Sequence, residues 1–103
     1  MEFIETPVFT KSIMALLSDD EYAGLQKLLI ENPEKGDLIR GGGGVRKLRY
    51  GRAGVGKSGG IRVVYYWISE DHQIYMLLAY PKSKKDSLTP DEIALLRHLV
   101  KEL

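Results

Sequence analysis

Most of the chain's Lys and Arg residues fall between Arg40 and Lys85, where only Glu70 and Asp71 oppose them. They come in three groups. Arg46, Lys47 and Arg49 sit in VRKLRY. Arg52 and Lys57 sit in a glycine-rich stretch that ends just before Arg62. Lys82, Lys84 and Lys85 sit in PKSKKD. Arginine offers a planar fork to phosphate oxygens and lysine a compact charge, so the chemistry these residues suit is the gripping of a sugar-phosphate backbone. Tyr50, Tyr66 and Tyr80 are interleaved with them and offer stacking faces for unpaired bases.

The segment between the first two groups contains a motif that must be weighed first. Gly51-Arg52-Ala53-Gly54-Val55-Gly56-Lys57-Ser58 matches the nucleotide phosphate-loop pattern G-x-x-x-x-G-K-[ST] at every position. That loop works only between a buried parallel strand and a helix whose N-terminal amides cradle the phosphates. Here Gly59-Gly60 and a β-branched run follow. The preceding VRKLRY is too charged for the inside of a parallel sheet. The stretch therefore reads as a long hairpin loop, and its glycines as a connection between two basic strands.

Composition narrows the class. At 103 residues and a net charge of +1, the chain reads as one domain, residues 1–103, with a basic face on a near-neutral body. There is no cysteine, which excludes disulfides and thiolate chemistry and fits a reducing cytoplasm. The acidic start MEFIETPVF is unlike a signal peptide, and no apolar run approaches the ~18 residues that span a bilayer. A cytoplasmic protein with no membrane partner is expected.

Periodicity then supplies the elements that must carry these groups. Glu2 to Thr6 reads as a short strand closed by Pro7. Phe9 to Leu17 has helical spacing, and Ser18-Asp19-Asp20-Glu21 is a capping box that opens a second helix, so the two form an N-terminal helical hairpin. Val45 to Tyr50 alternates, with Val45, Lys47 and Arg49 on one side and Arg46, Leu48 and Tyr50 on the other. Ile61 to Ser69 is rich in β-branched and aromatic residues, and Gln73 to Tyr80 returns after a turn. Thr89-Pro90-Asp91-Glu92 opens a C-terminal helix. The order β-α-α-β-β-β-α implies an α+β fold with an antiparallel sheet of about four strands. Met14 and Met76 read as core filler and Trp67 as core. His72 reads as a turn residue, and His98 as a surface helix residue.

The run GGVRKLR, the glycine loop with GVGKSGG, and IRVVYY together resemble the RelE-type toxins of bacterial toxin–antitoxin modules, in particular the HigB branch. The early capping box and the Asn32-Pro33 to Gly36-Asp37 turn agree with it, so the resemblance covers nearly the whole chain. It implies a RelE-like fold and a metal-independent mRNA endoribonuclease with no cofactor. The partners it implies are the ribosomal A site with its 16S rRNA, the mRNA, and a cognate antitoxin. An RNA strand carries its own nucleophile, the 2′-hydroxyl. Basic residues can align it, stabilise the added charge on phosphorus and move protons. Carried over by motif, Arg62 contacts the scissile phosphate, Lys47 is the candidate base, and Arg49 completes the basic strand. The family's C-terminal basic or tyrosine position, the source of its general acid, falls near Lys82 to Lys84, with Lys82 the candidate there; Tyr80 could serve as the acid if its hydroxyl faces the site. Arg46, Arg52, Lys57, Lys84 and Lys85 would hold rRNA or the mRNA backbone. Three other readings stay open from sequence: a gyrase-directed toxin resembling ParE, a non-catalytic RNA-binding module, and nucleotide binding by the glycine loop.

Overall fold

The computed structural model describes residues 1–51, 60–85 and 87–103. Its elements are β1 (Glu2–Glu5), α1 (Pro7–Leu16), α2 (Asp19–Glu31), β2 (Asp37–Leu38), β3 (Arg46–Tyr50), β4 (Ile61–Ile68), β5 (Gln73–Pro81) and α3 (Pro90–Lys101). The five strands form one sheet in the order β1-β5-β4-β3-β2. This is an α+β fold with a mixed sheet, because β1 runs parallel to β5 while every other neighbouring pair is antiparallel.

Two strands thus differ from the all-antiparallel, four-stranded sheet that the sequence suggests. β1 needs no hairpin to reach its place, since it lies along the far edge of β5. There Glu2 N donates to His72 O and Thr6 N to Met76 O. Thr6 Oγ1 also donates to Leu77 O. β2 is only two residues long, and Asp37 and Leu38 pair with Lys47 and Arg46.

Helix starts follow the capping chemistry. Thr6 Oγ1 accepts from Phe9 N and Pro7 takes the first turn, so α1 begins earlier than the apolar spacing alone indicates. Ser18 with Glu21, and Thr89 with Glu92, form complete capping boxes for α2 and α3.

The sheet separates two cores. On one face, Phe9, Ile13, Leu25 and Leu29 of α1 and α2 pack on Leu48, Ile61, Val63, Tyr65, Ile74 and Met76. On the other, Leu96 and Val100 of α3 pack on Val45, Val64 and Leu77. A bulge aids the second core. Val64 pairs with Leu78 but Tyr65 with Met76, so Leu77 is an extra residue on β5, and both Leu77 and Leu78 serve the α3 side. Met14 does not fill the core as its spacing suggested. It is 77% exposed, because Phe9, Ile13 and Leu17 carry the buried stripe of the first helical segment. Met76 is fully buried, and Trp67 packs at the core's margin.

Candidate nucleic-acid interface

Strand alternation decides which basic residues meet. Leu48 and Tyr50 belong to the core under α1 and α2, so Lys47 and Arg49 face the α3 side. Arg49 pairs with Arg62 across β3–β4, and Arg62 pairs with Tyr80 across β4–β5. Directly opposed residues share a face, with Cβ atoms roughly 5 Å apart. Arg49, Arg62 and Tyr80 therefore form one row across three strands, and Lys47 lies one step along β3 on the same face.

Arg62 anchors the row. It is 4% exposed, the one charged residue among those described that is buried. Its Nη1 donates to Ile61 O at 3.3 Å, and among the described residues no carboxylate pairs with it. A guanidinium carries five N–H donors, and a buried cation without a counter-charge is costly. The arrangement suits an anion arriving from outside. The hydroxyl oxygen of Tyr80 is buried as well, and its ring packs with the α3 core.

Past the row, Lys82 N donates to Gly60 O at 3.1 Å, which holds the exit of β5 against the start of β4. A Cβ on Gly60 would come within 2.4 Å of Tyr50 O, so only glycine fits at this neck between β3 and β4. The chain then turns tightly, with Lys84 N and Lys85 N both donating to Pro81 O. Lys84 is exposed. Lys85 is tied down, because its Nζ pairs with Glu92 Oε2 at the start of α3. This hydrogen bond and that from Thr89 N hold the Glu92 carboxyl below its ordinary value.

Other candidates lie elsewhere. Arg46 sits on the opposite face, where Nη1 donates to Gly36 O at 2.8 Å and Glu34 O at 3.3 Å. It thereby fastens the turn before β2. Tyr50 is not an open stacking face either: its hydroxyl donates to Glu21 O at 3.0 Å, and burial pushes its pKa up. Tyr66 is on the α3 face but four residues along β4 from Arg62, beside Gly44. Arg52 and Lys57, and the phosphate-loop pattern that contains them, lie outside the described residues, apart from Gly51. The flanking strands are antiparallel neighbours, and β4 follows directly at Ile61. A nucleotide phosphate loop requires a helix after its lysine and serine, and the next described element is instead the strand that begins at Ile61.

Sequence reading missed two acids near the row. Asp37 stands opposite Lys47 across β2–β3, in a strand too short to announce itself. Glu92 was visible only as a helix cap, and its second oxygen is the one that holds Lys85. Asp37 is exposed at the sheet edge and brings a negative charge to the face that carries Lys47.

A mixed sheet with two helices on one face, one on the other, and a basic row ending in a half-buried tyrosine make up a small α+β protein. The model of the RelE toxin of the RelE/RelB toxin–antitoxin system matches residues 25–103. The chain belongs to that family of toxins, whose counterpart is a cognate antitoxin. No helix among the described residues is long and apolar enough to cross a membrane.

Proposed function

We propose that the protein is a ribosome-dependent mRNA endoribonuclease of the HigB branch, and that the row Arg49–Arg62–Tyr80, with Lys47 and Lys82 beside it, is its active site. The single observation that carries this reading is Arg62, a buried guanidinium facing no carboxylate among the described residues, at the centre of a basic row.

The chemistry follows from placing a scissile phosphate over Arg62. Lys47 takes the proton from the neighbouring 2′-hydroxyl, and the freed oxygen attacks phosphorus. Arg49 and Arg62 stabilise the negative charge that builds on the non-bridging oxygens. The 5′-oxygen leaves as its bond to phosphorus breaks, taking a proton from Tyr80 or Lys82. The products are a 2′,3′-cyclic phosphate and a 5′-hydroxyl end. The proton balance closes within the chain and the RNA, with no cofactor. Lys84, with Lys57 and Arg52, holds the strand or rRNA, and the ribosomal A site presents the codon.

Incubating the protein with a translated mRNA, with and without ribosomes, tests the reading. The expected result is cleavage only when ribosomes are present, and none with Arg62→Ala. Absence of any ribosome-dependent cut by the wild type would overturn it. Inhibition of DNA gyrase instead would move the protein to the gyrase-directed relatives.

A further inference from the structure

A cavity at the C-terminal end of α3 stands apart from the basic row and has a volume of about 490 Å³. Its walls are Tyr66 on β4, Gly43 in the connection before β3, and Arg97, Val100, Lys101 and Leu103 on and after α3. Tyr66 lies four residues along β4 from Arg62, roughly 13 Å at the rise of a strand. The cavity and the row are therefore separate places on one face of the sheet. The glycine run before β3 shapes the near wall. Gly44 has a φ of +109°, and a Cβ there would come within 2.9 Å of the Tyr66 ring. The backbone thus passes close beside the ring, and Gly43 and Gly44 put no side chain into the space.

The lining specifies the occupant. Tyr66 is half-buried and packs in part against the α3 core. Val100 and Leu103 add apolar surface beside it. Arg97 and Lys101 are one turn apart on α3, so their side chains are neighbours on its surface. Both are exposed. Arg97 Nη1 donates to Gly41 O at 3.2 Å, which positions the guanidinium while engaging one of its five N–H donors. No acidic residue lines the cavity, and the ion pair among the described residues, Lys85 with Glu92, involves neither cation. A bare anion would meet the two cations and leave the ring and the leucine unused. A neutral aromatic molecule would do the reverse. A nucleotide uses both halves, because its base presents a flat π-face and its phosphate accepts from arginine and lysine.

We propose that this cavity binds one nucleotide, with the base stacked on Tyr66 and the phosphate held by Arg97 and Lys101. The nucleotide is either free or an unpaired residue of an RNA strand, since the same chemistry recognises both. The inference goes beyond the cleavage reading and does not rest on it, because Tyr66, Arg97 and Lys101 take no part in the row.

The test uses the nitrogen-labelled whole chain, with its amide signals followed by NMR as ligand is added. The probes are adenosine 5′-monophosphate, adenosine, inorganic phosphate and a short oligoadenylate. With the monophosphate or the oligoadenylate, the signals of Gly43, Gly44 and Lys101 are expected to shift and saturate. Adenosine and inorganic phosphate are each expected to bind about 10-fold more weakly or worse, having lost one half of the recognition. Tyr66→Leu and Lys101→Ala should each weaken binding by about 10-fold or more. Lys101 is exposed and has no hydrogen-bonding role within the described residues, so its variant keeps the wild-type melting temperature should Tyr66→Leu fail to fold. Saturation by the monophosphate identifies a free nucleotide as a sufficient ligand, and shifts with the oligoadenylate alone identify an RNA strand. No shift with either, shifts confined to the row around Arg49 and Arg62, or wild-type affinity in folded Lys101→Ala would overturn the proposal. Inorganic phosphate binding as tightly as the nucleotide would overturn the stacking half. A wild type that binds nucleotide here but cuts no mRNA leaves this inference standing and removes the catalytic one.

Discussion

Arg49 and Arg62 stand directly opposite each other across β3 and β4, two guanidinium groups on one face of a sheet. Like charges in opposed positions destabilise a strand pair, and Arg62 is almost wholly removed from water. Such an arrangement is unfavourable for the free protein and favourable once a phosphate lies between the two groups. The pairing adds to the active-site reading that the buried Arg62 carries.

Arg62→Met separates binding chemistry from folding. An apolar group of similar length removes the desolvation cost of a buried charge that has no counter-charge, so it should leave stability level or raise it. Cleavage should be abolished while the urea midpoint stays level or rises. A clear fall in the midpoint would mean that Arg62 is a structural element.

Arg46→Ala should do the reverse. Its Nη1 serves the Glu34 and Gly36 carbonyls, and hydrogen bonds from a charged donor contribute about 1.5–3 kcal/mol each. A loss of roughly 2 kcal/mol in stability is expected, with the cleavage rate of the folded fraction within a few-fold of wild type. Loss of rate at full stability would put Arg46 in contact with RNA after all.

Tyr65→Phe tests the support beneath β2. The Tyr65 hydroxyl donates to Pro33 O at 2.6 Å and accepts from Gly36 N at 2.9 Å. Its removal strands a buried N–H, at a cost of about 1–3 kcal/mol, and loosens the turn that sets Asp37 opposite Lys47. Chemical denaturation and amide exchange at Gly36 read both effects. Unchanged protection at Gly36 would contradict the account.

The pH dependence follows from Glu92. Its folded pKa is depressed, first by the hydrogen bond from Lys85. The stabilisation is therefore present above its ordinary value of 4.5 and is lost as pH falls through the lower folded value. Glu92→Gln keeps an acceptor for Thr89 N but cannot ionise, so its stability should fall less steeply below pH 4.5. Parallel acid limbs for the two proteins would show that the Lys85 pair contributes nothing in solution.

Much of this was legible from residue order. The alternation in VRKLRY already put Lys47 and Arg49 on one side and Arg46 with Leu48 and Tyr50 on the other, so the separation of Arg46 from the row was implicit in the spacing. Ser18 and Thr89 announced their helices through local hydrogen bonds that need no tertiary context. What was not legible depends on contacts between distant residues. A parallel neighbour such as β1 leaves no turn signature, and β2 owes its existence to β3. The bulge at Leu77 changes one residue's face without changing its type. On α3 the helical spacing marks Leu99 for the core along with Leu96 and Val100, yet only Leu96 and Val100 are buried, and Leu99 stays 41% exposed.

Single-turnover cleavage of a defined mRNA on programmed ribosomes tests the central claim most directly, comparing Arg49→Ala and Arg62→Ala with Arg46→Ala. The account predicts that the two row variants lose at least 100-fold in rate, the scale of losing one charge-stabilising donor, while Arg46→Ala stays within a few-fold of wild type. Equal losses in all three, or full activity without Arg62, would contradict it.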